Sequence, residues 1–181
     1  MMQSWDGADL FYRSWIPETP TDKALLLFHR GHEHSGRWQE FIDLLGLDDV
    51  AIFAWDQRGH GRSPGPRGGA DDFSVITKDV AAFVRQVTAQ HGFAMEGMIV
   101  LAHSMGAVSV AAWVHDYAPP LRAMVLATAA FRVRLYVPLA LPALRLKERF
   151  LGPGQVQSYV KSRMLTHDPE QAARYDADPL I

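Results

Sequence analysis

The residues best suited to covalent chemistry stand together in one pentapeptide, Ala102-His103-Ser104-Met105-Gly106. A serine hydroxyl attacks well only when it is lifted clear of its neighbours, and a sharp turn from a strand into a helix does that. The flanks supply such a context. Met98 to Leu101 is apolar, as in a buried strand, and Ala107 to Val114 is small and apolar, as in a tightly packed helix. Small residues two before and two after the serine let strand and helix approach closely. Here they are Ala102 and Gly106, so the first glycine of the G-x-S-x-G elbow has become alanine. A serine at an ordinary strand–helix turn has the same flanks, and the rest of the chain must separate the two readings.

The elements needed to position this serine follow from the apolar pattern. Ser4 to Ile16 reads as a hairpin turning at Asp6-Gly7. Ala24 to Phe28 and Val50 to Trp55 are continuous apolar runs, as expected of strands buried on both faces. Between them, Trp38, Phe41, Ile42, Leu44 and Leu45 recur at helical spacing, with Gly46 as a stop. Asp72 or Ser74 can cap a helix whose apolar face is Ile76, Val80, Phe83, Val84 and Val87, ending near Gly92. The helix after Ser104 ends at Pro119-Pro120, and Leu121 to Thr128 is a further strand. Strands alternating with helices at short spacing predict an α/β fold: a mostly parallel sheet with helices on both faces. Ligands in such sheets bind outside the carboxyl ends of the strands. Three polar, glycine-bearing loops fall there: 29–37, 56–65 and 102–106. Their convergence raises Ser104 above an ordinary turn residue.

The composition bounds the rest. A chain of 181 residues can bury one real core. It has no cysteine, which excludes disulfides, thiolate chemistry and cysteine-ligated zinc. The N-terminus lacks the basic and apolar regions of a secretory signal, and Leu135 to Leu144 is too short and too proline-broken to span a bilayer, so a soluble, cytoplasmic protein is expected. Residues 1–130 carry 10 basic against 15 acidic residues, whereas 131–181 carry 8 against 5, marking a compositional break near Phe131. Basic and apolar residues alternate in Phe131-Arg132-Val133-Arg134-Leu135-Tyr136 and Leu144-Arg145-Leu146-Lys147. Such a stretch suits peripheral contact with an anionic membrane, and equally a solvated helical hairpin. Residues 164–181 turn acidic again, so no nucleic-acid partner is implied.

Three blocks carry a family resemblance: His32-Glu33-His34-Ser35-Gly36-Arg37-Trp38, then Asp56-Gln57-Arg58-Gly59-His60-Gly61-Arg62-Ser63-Pro64-Gly65, then His103-Ser104-Met105-Gly106. In this order they resemble the N-terminal part of the α/β-hydrolase superfamily, in the branch of monoacylglycerol lipases, lysophospholipases and serine aminopeptidases. The resemblance implies a hydrolase core over 1–130 and the start of a mainly helical cap over 131–181. The cap stretch is similar to bacterial members, some of which carry a methyltransferase domain further along. Carried over residue by residue, Ser104 would be the acyl-accepting nucleophile. The backbone N–H groups of Met105 and Gly31 would form the oxyanion hole. Glu33 and Arg37 would order the loop and contact the polar leaving group of an ester or lipid substrate, and no cofactor is implied. One departure stands out: the family usually has His-Gly before the second donor, and this chain has His29-Arg30. Trp38, Trp55, Met105 and Phe131 are candidate walls for an acyl pocket, although large apolar residues are usually core.

The general base is the missing part. After Ser104 the only histidines are His115 and His167. His115 would lie roughly 16 Å down the helix leaving the elbow, and Asp116 fails with it. Glu148 lies in the presumed cap, and His167-Asp168 reads as a turn or helix start. His103 is adjacent to the serine and is expected to point away from its hydroxyl. The expected catalytic acid and histidine therefore lie beyond Ile181, and the isolated chain should turn over little. Two other readings compete. A non-catalytic hydrolase-like domain would lack those partners altogether. A metal-dependent hydrolase would use the His29, His32 and His34 cluster, but Gly36 and Arg37 stand where a dinuclear zinc motif wants Asp and His.

Overall fold

Five apolar residues without a polar atom in their side chains, Ala24 to Phe28, have nowhere to go but between two layers, and the fold puts them there. The computed structural model describes residues 1–132, 139–152 and 161–181. Its elements fall into two compact units, residues 1–130 with 180–181, and residues 131–179.

The first unit opens with strands β1 (Met2–Gln3), β2 (Asp9–Leu10) and β3 (Tyr12–Trp15). They are followed by β4 (Ala24–Phe28), α1 (Gln39–Leu45), β5 (Ala51–Trp55) and α2 (Phe73–His91). The unit continues with β6 (Met98–His103), α3 (Met105–Tyr117) and β7 (Ala123–Ala127). The main sheet has the order β3-β5-β4-β6-β7. Strands β4 to β7 run parallel, with Leu26 level with Phe53 and with Val100, and β3 runs antiparallel to β5 at one edge.

Period-two alternation divides the core between the two faces of the sheet. Leu26, Phe28, Phe53, Trp55 and Val100 meet Val80, Phe83, Val84 and Val87 of α2 and Val110 and Trp113 of α3. Leu25, Leu27, Ile52 and Ala54 face the other way, against Trp38, Phe41 and Ile42 at α1. Trp55 stacks against Phe83 and meets Phe28 edge-on, so it is core and walls no acyl pocket.

The helices begin and end where the sequence marks them. Asp72 caps α2 by accepting the Ser74 N–H at 2.7 Å, and left-handed Gly92 closes it. The chain passes from β4 to β5 on one side and then crosses to β6 on the other, so the loops after β4 and β6 leave side by side. This reversal is where an open α/β sheet forms its crevice.

The N-terminus differs from the predicted single hairpin. The turn at Asp6-Gly7 pairs only Met2 with Leu10 and Gln3 with Asp9, and Tyr12 to Trp15 leaves to join β5. Phe11 causes the break: its carbonyl accepts the Asp56 N–H at 2.8 Å and its N–H donates to Ser63 Oγ at 2.9 Å. The hairpin is tied down elsewhere, where Ser4 Oγ donates to the fully buried Asp79 of α2. Arg58 donates to both Asp79 carboxylate oxygens at 2.9 and 2.8 Å and pairs with Asp6 at 2.8 Å. These bonds raise the Arg58 pKa and hold the Asp6 carboxyl below its usual value.

In the second unit, α4 (Ala140–Leu151) precedes a single 3-10 turn, Ser162–Met164, and α5 (Pro169–Asp176). Asp168 caps α5 by accepting the Glu170 N–H at 2.8 Å, which makes His167-Asp168 a helix start. Ser162 Oγ donates to Asp176 at 2.8 Å. The run Val133 to Tyr136 lies outside the described residues. Among the described residues no helix is long and apolar enough to cross a membrane.

Candidate active site

Ser104 sits between β6 and α3 with φ 53° and ψ −110°, a conformation that L residues rarely hold. Strain of this kind costs about 1–3 kcal/mol and persists only where neighbours enforce it. They do so here. The Ser104 N–H donates to the Ala127 carbonyl at 2.9 Å, which ties the elbow to β7. Its carbonyl accepts from Val108 N at 3.3 Å and Ala130 N at 3.4 Å. Two residues on, a Cβ at Gly106 would stand 2.5 Å from the His29 carbonyl oxygen and 2.8 Å from that of Phe28. Only glycine lets α3 start this close to the end of β4.

Met105 opens α3, so its N–H has no partner within the helix. A Cβ at Gly31 would touch the Met105 Sδ at 3.5 Å. The loop after β4 therefore brings Gly31 against the residue that follows the serine. Arg30 Nη2 pairs with Glu33 Oε1 at 2.9 Å, and both side chains are largely sheltered. The departure at position 30 thus folds back along its own loop onto the carboxylate that the family resemblance assigns to substrate. Burial holds the pKa of half-buried His103 down, with Glu33 favouring its protonation and Arg30 opposing it. Arg37 lies half-buried on the 3-10 turn Ser35–Trp38, which His34 caps by accepting the Gly36 N–H at 3.1 Å.

The loop after β5 is held by a buried carboxylate. Asp56 accepts the Ser35 N–H at 2.6 Å and the Arg62 N–H at 2.8 Å, and its carbonyl accepts from Ser63 Oγ at 2.5 Å. Left-handed Gly61 lies so close that a Cβ would stand 2.2 Å from Asp56 Oδ2. His29 and His60 lie with ring centroids 5.4 Å apart. Burial is the main cause that pushes His29 down to about 4, and it lowers His60 as well, so both rings are neutral at neutral pH.

The geometry thus collects Gly31, Ser104 and Met105, and places Glu33 with Arg30 beside His103. Among the described residues no histidine or carboxylate hydrogen-bonds the Ser104 hydroxyl. His115 is exposed at the far end of α3 and pairs with Asp116 at 2.9 Å. Among the described residues no group of three His, Asp or Glu is placed to hold a metal ion. At the metal alternative's residues, both nitrogens of His29 are occupied, by the Gln57 N–H and the Arg30 carbonyl. His34 Nδ1 is occupied by the Gly36 N–H. Sequence reasoning missed Asp56 as the knot of the crevice, and the signal was present in its place between a buried strand and a glycine-rich loop.

A doubly wound sheet with a strained serine at its switch point defines the α/β-hydrolase class. The model of one family within it, described as "Serine aminopeptidase, S33", matches residues 19–181, and the chain belongs to that family. "Uncharacterized protein YnbC" of Escherichia coli is 50% identical over 177 residues, covering 97% of this chain and 30% of that protein. Human monoglyceride lipase is 34% identical, covering 97% of this chain and 58% of its own length. The monoacylglycerol lipase of Mycolicibacterium smegmatis is 32% identical, with 97% and 62% covered. The chain thus spans less than two thirds of each of these relatives. A soluble variant of the Saccharomyces cerevisiae monoglyceride lipase superimposes with a TM-score of 0.79 at 20% identity, over 99% of this chain and 61% of that one. That likeness speaks for the fold alone.

Proposed function

We propose that the domain carries the nucleophile and oxyanion hole of a serine hydrolase acting on carboxylic esters. Ser104 Oγ attacks the ester carbonyl carbon, its proton passes to a general base, and the negative charge on the carbonyl oxygen is met by the N–H groups of Met105 and Gly31. Collapse of the tetrahedral species expels the alcohol, which takes up that proton, and leaves an acyl group on Ser104. Water then releases the acid by the same steps. Among the described residues no histidine or carboxylate hydrogen-bonds Ser104 to serve as that base. The observation that carries the reading is the backbone of Ser104, held at φ 53° above a glycine pressed on two carbonyl oxygens.

The substrate class is a monoacylglycerol or lysophospholipid, and the names of two relatives, a monoacylglycerol lipase and a monoglyceride lipase, support the first. Glu33 and Arg37 meet its polar leaving group. The second unit adds a lipid-facing surface: Leu146 and Phe150 are exposed four residues apart on α4, flanked by Arg145 and Arg149, with exposed Leu139 just before the helix. An apolar stripe between cations fits an anionic interface. A fluorophosphonate probe tests the chemistry: a longer chain that supplies the general base should be labelled at Ser104, Ser104→Ala should abolish labelling, and these 181 residues alone should label slowly. Hydrolysis of monoacylglycerol and lysophospholipid side by side tests the substrate. Loss of sedimentation with phosphatidylglycerol vesicles in Phe150→Asp tests the surface.

A further inference from the structure

We infer that His29 is a positioning residue for the oxyanion hole, clamping the Arg30–Gly31 peptide so that the Gly31 N–H faces the substrate oxygen. The inference rests on the assignment of Gly31 as a donor in the proposed function.

Two contacts fix the chemistry of the ring. His29 Nε2 lies 2.9 Å from the backbone nitrogen of Gln57, whose N–H can only donate, so Nε2 carries the lone pair. His29 Nδ1 lies 2.7 Å from the Arg30 carbonyl oxygen, which can only accept, so Nδ1 carries the proton. The Nδ1–H tautomer satisfies both contacts. A protonated ring would set an N–H against the Gln57 N–H, and the buried setting disfavours that form.

The clamp has a geometric consequence. A trans peptide points its carbonyl and its N–H in opposite directions, and the described chain has no cis bonds. Holding the Arg30 carbonyl on the ring therefore turns the Gly31 N–H away from His29. Gly31 has no Cβ, so nothing of its own would stop that peptide plane from rotating. Among the described residues its N–H meets no acceptor. The backbone of His29 meanwhile abuts Gly106, and its ring reaches the loop after β5. One residue thus connects β4, the elbow and the loop after β5, and sets the direction of a donor two positions along.

Two substitutions separate the halves of the clamp. In His29→Asn the amide NH2 takes the place of Nδ1–H and can still donate to Arg30. In His29→Gln the amide oxygen reaches the place of Nε2 and can accept from Gln57, but the donor to Arg30 is gone. With folding of both checked by thermal melting, His29→Gln should slow fluorophosphonate labelling of Ser104 by about 100-fold, the scale of one lost oxyanion donor. His29→Asn should recover most of that loss. Equal rates in the two folded variants would overturn the clamp. Imidazole 15N NMR of the wild type should show His29 protonated on Nδ1, and a proton on Nε2 would overturn the clamp whatever the labelling shows. If Ser104 takes no label even in a chain that supplies the general base, the hydrolase reading fails by itself. The tautomer then still decides the clamp, together with a Gly31 amide shift that should move in His29→Gln and stay in His29→Asn.

Discussion

Strands β5 and β7 are each five apolar residues, each parallel to a neighbour, yet one is buried throughout and the other mostly is not. β5 lies between β3 and β4, with Phe53 and Trp55 under α2 and Ile52 and Ala54 under α1. Among the described residues β7 pairs with β6 alone, and Met124 and Val125 remain 40% and 48% exposed. Apolar character makes a strand, but position in the sheet decides what that strand is worth. The same contrast governs the polar groups. The loop leaving β5 is tied by Asp56, Ser63 and Arg58, whereas β7 contributes one tie to the site, the Ala127 carbonyl under Ser104.

The contrast is open to measurement. Phe53→Ala in β5 should cost about 3–5 kcal/mol in chemical denaturation, as for a large aromatic removed from a closed core. A loss under 1 kcal/mol would erase the distinction. Acid should act next, and on the β4–β5 end of the sheet. The His29 pKa is about 4 in the fold against 6.5 for the free side chain. Between those values the unfolded chain binds the extra proton, so stability falls as pH drops from 6.5 to 4, by on the order of 3 kcal/mol for this group. Lowered His60 adds in the same direction. Amide exchange should show the protection of Gln57 falling before that of Val100, and a pH-independent melting temperature in this window would contradict it. Gly106→Ala should cost about 1–3 kcal/mol, because the added methyl must displace the backbone at the end of β4. Smallest of all, Val125→Thr should change stability by no more than about 0.5 kcal/mol, as for an exposed site. A cost like that of Phe53→Ala would show β7 to be covered in solution.

The sheet and its crevice were legible because buried parallel strands and glycine-rich loops leave strong marks in sequence. Ala24 to Phe28, Asp72 and Gly92 needed only local rules. The hairpin from Ser4 was misread beyond Leu10 because Phe11 is pinned by Asp56 and Ser63, more than 40 residues away, and alternation along the strand records no partner. The burial of Trp55 was settled by Phe28 and Phe83, which no local pattern assigns to it. The serine elbow was legible as residues, but the direction of the backbone N–H groups around it was not. Which way an N–H points depends on a peptide plane, and here a ring two residues earlier sets that plane. The Arg30–Glu33 pair was likewise hidden, since two charges three apart in an irregular loop have no fixed distance.

The tie from Ser4 to Asp79 reaches further than the hairpin it secures. Arg58 shares that carboxylate and also grips Asp6, so the first turn of the polypeptide and the glycine-rich stretch beside the crevice are anchored to one post. Trimming eight residues from the amino end, or fusing a rigid tag there, would loosen a crevice loop some fifty positions downstream without touching a residue of that loop.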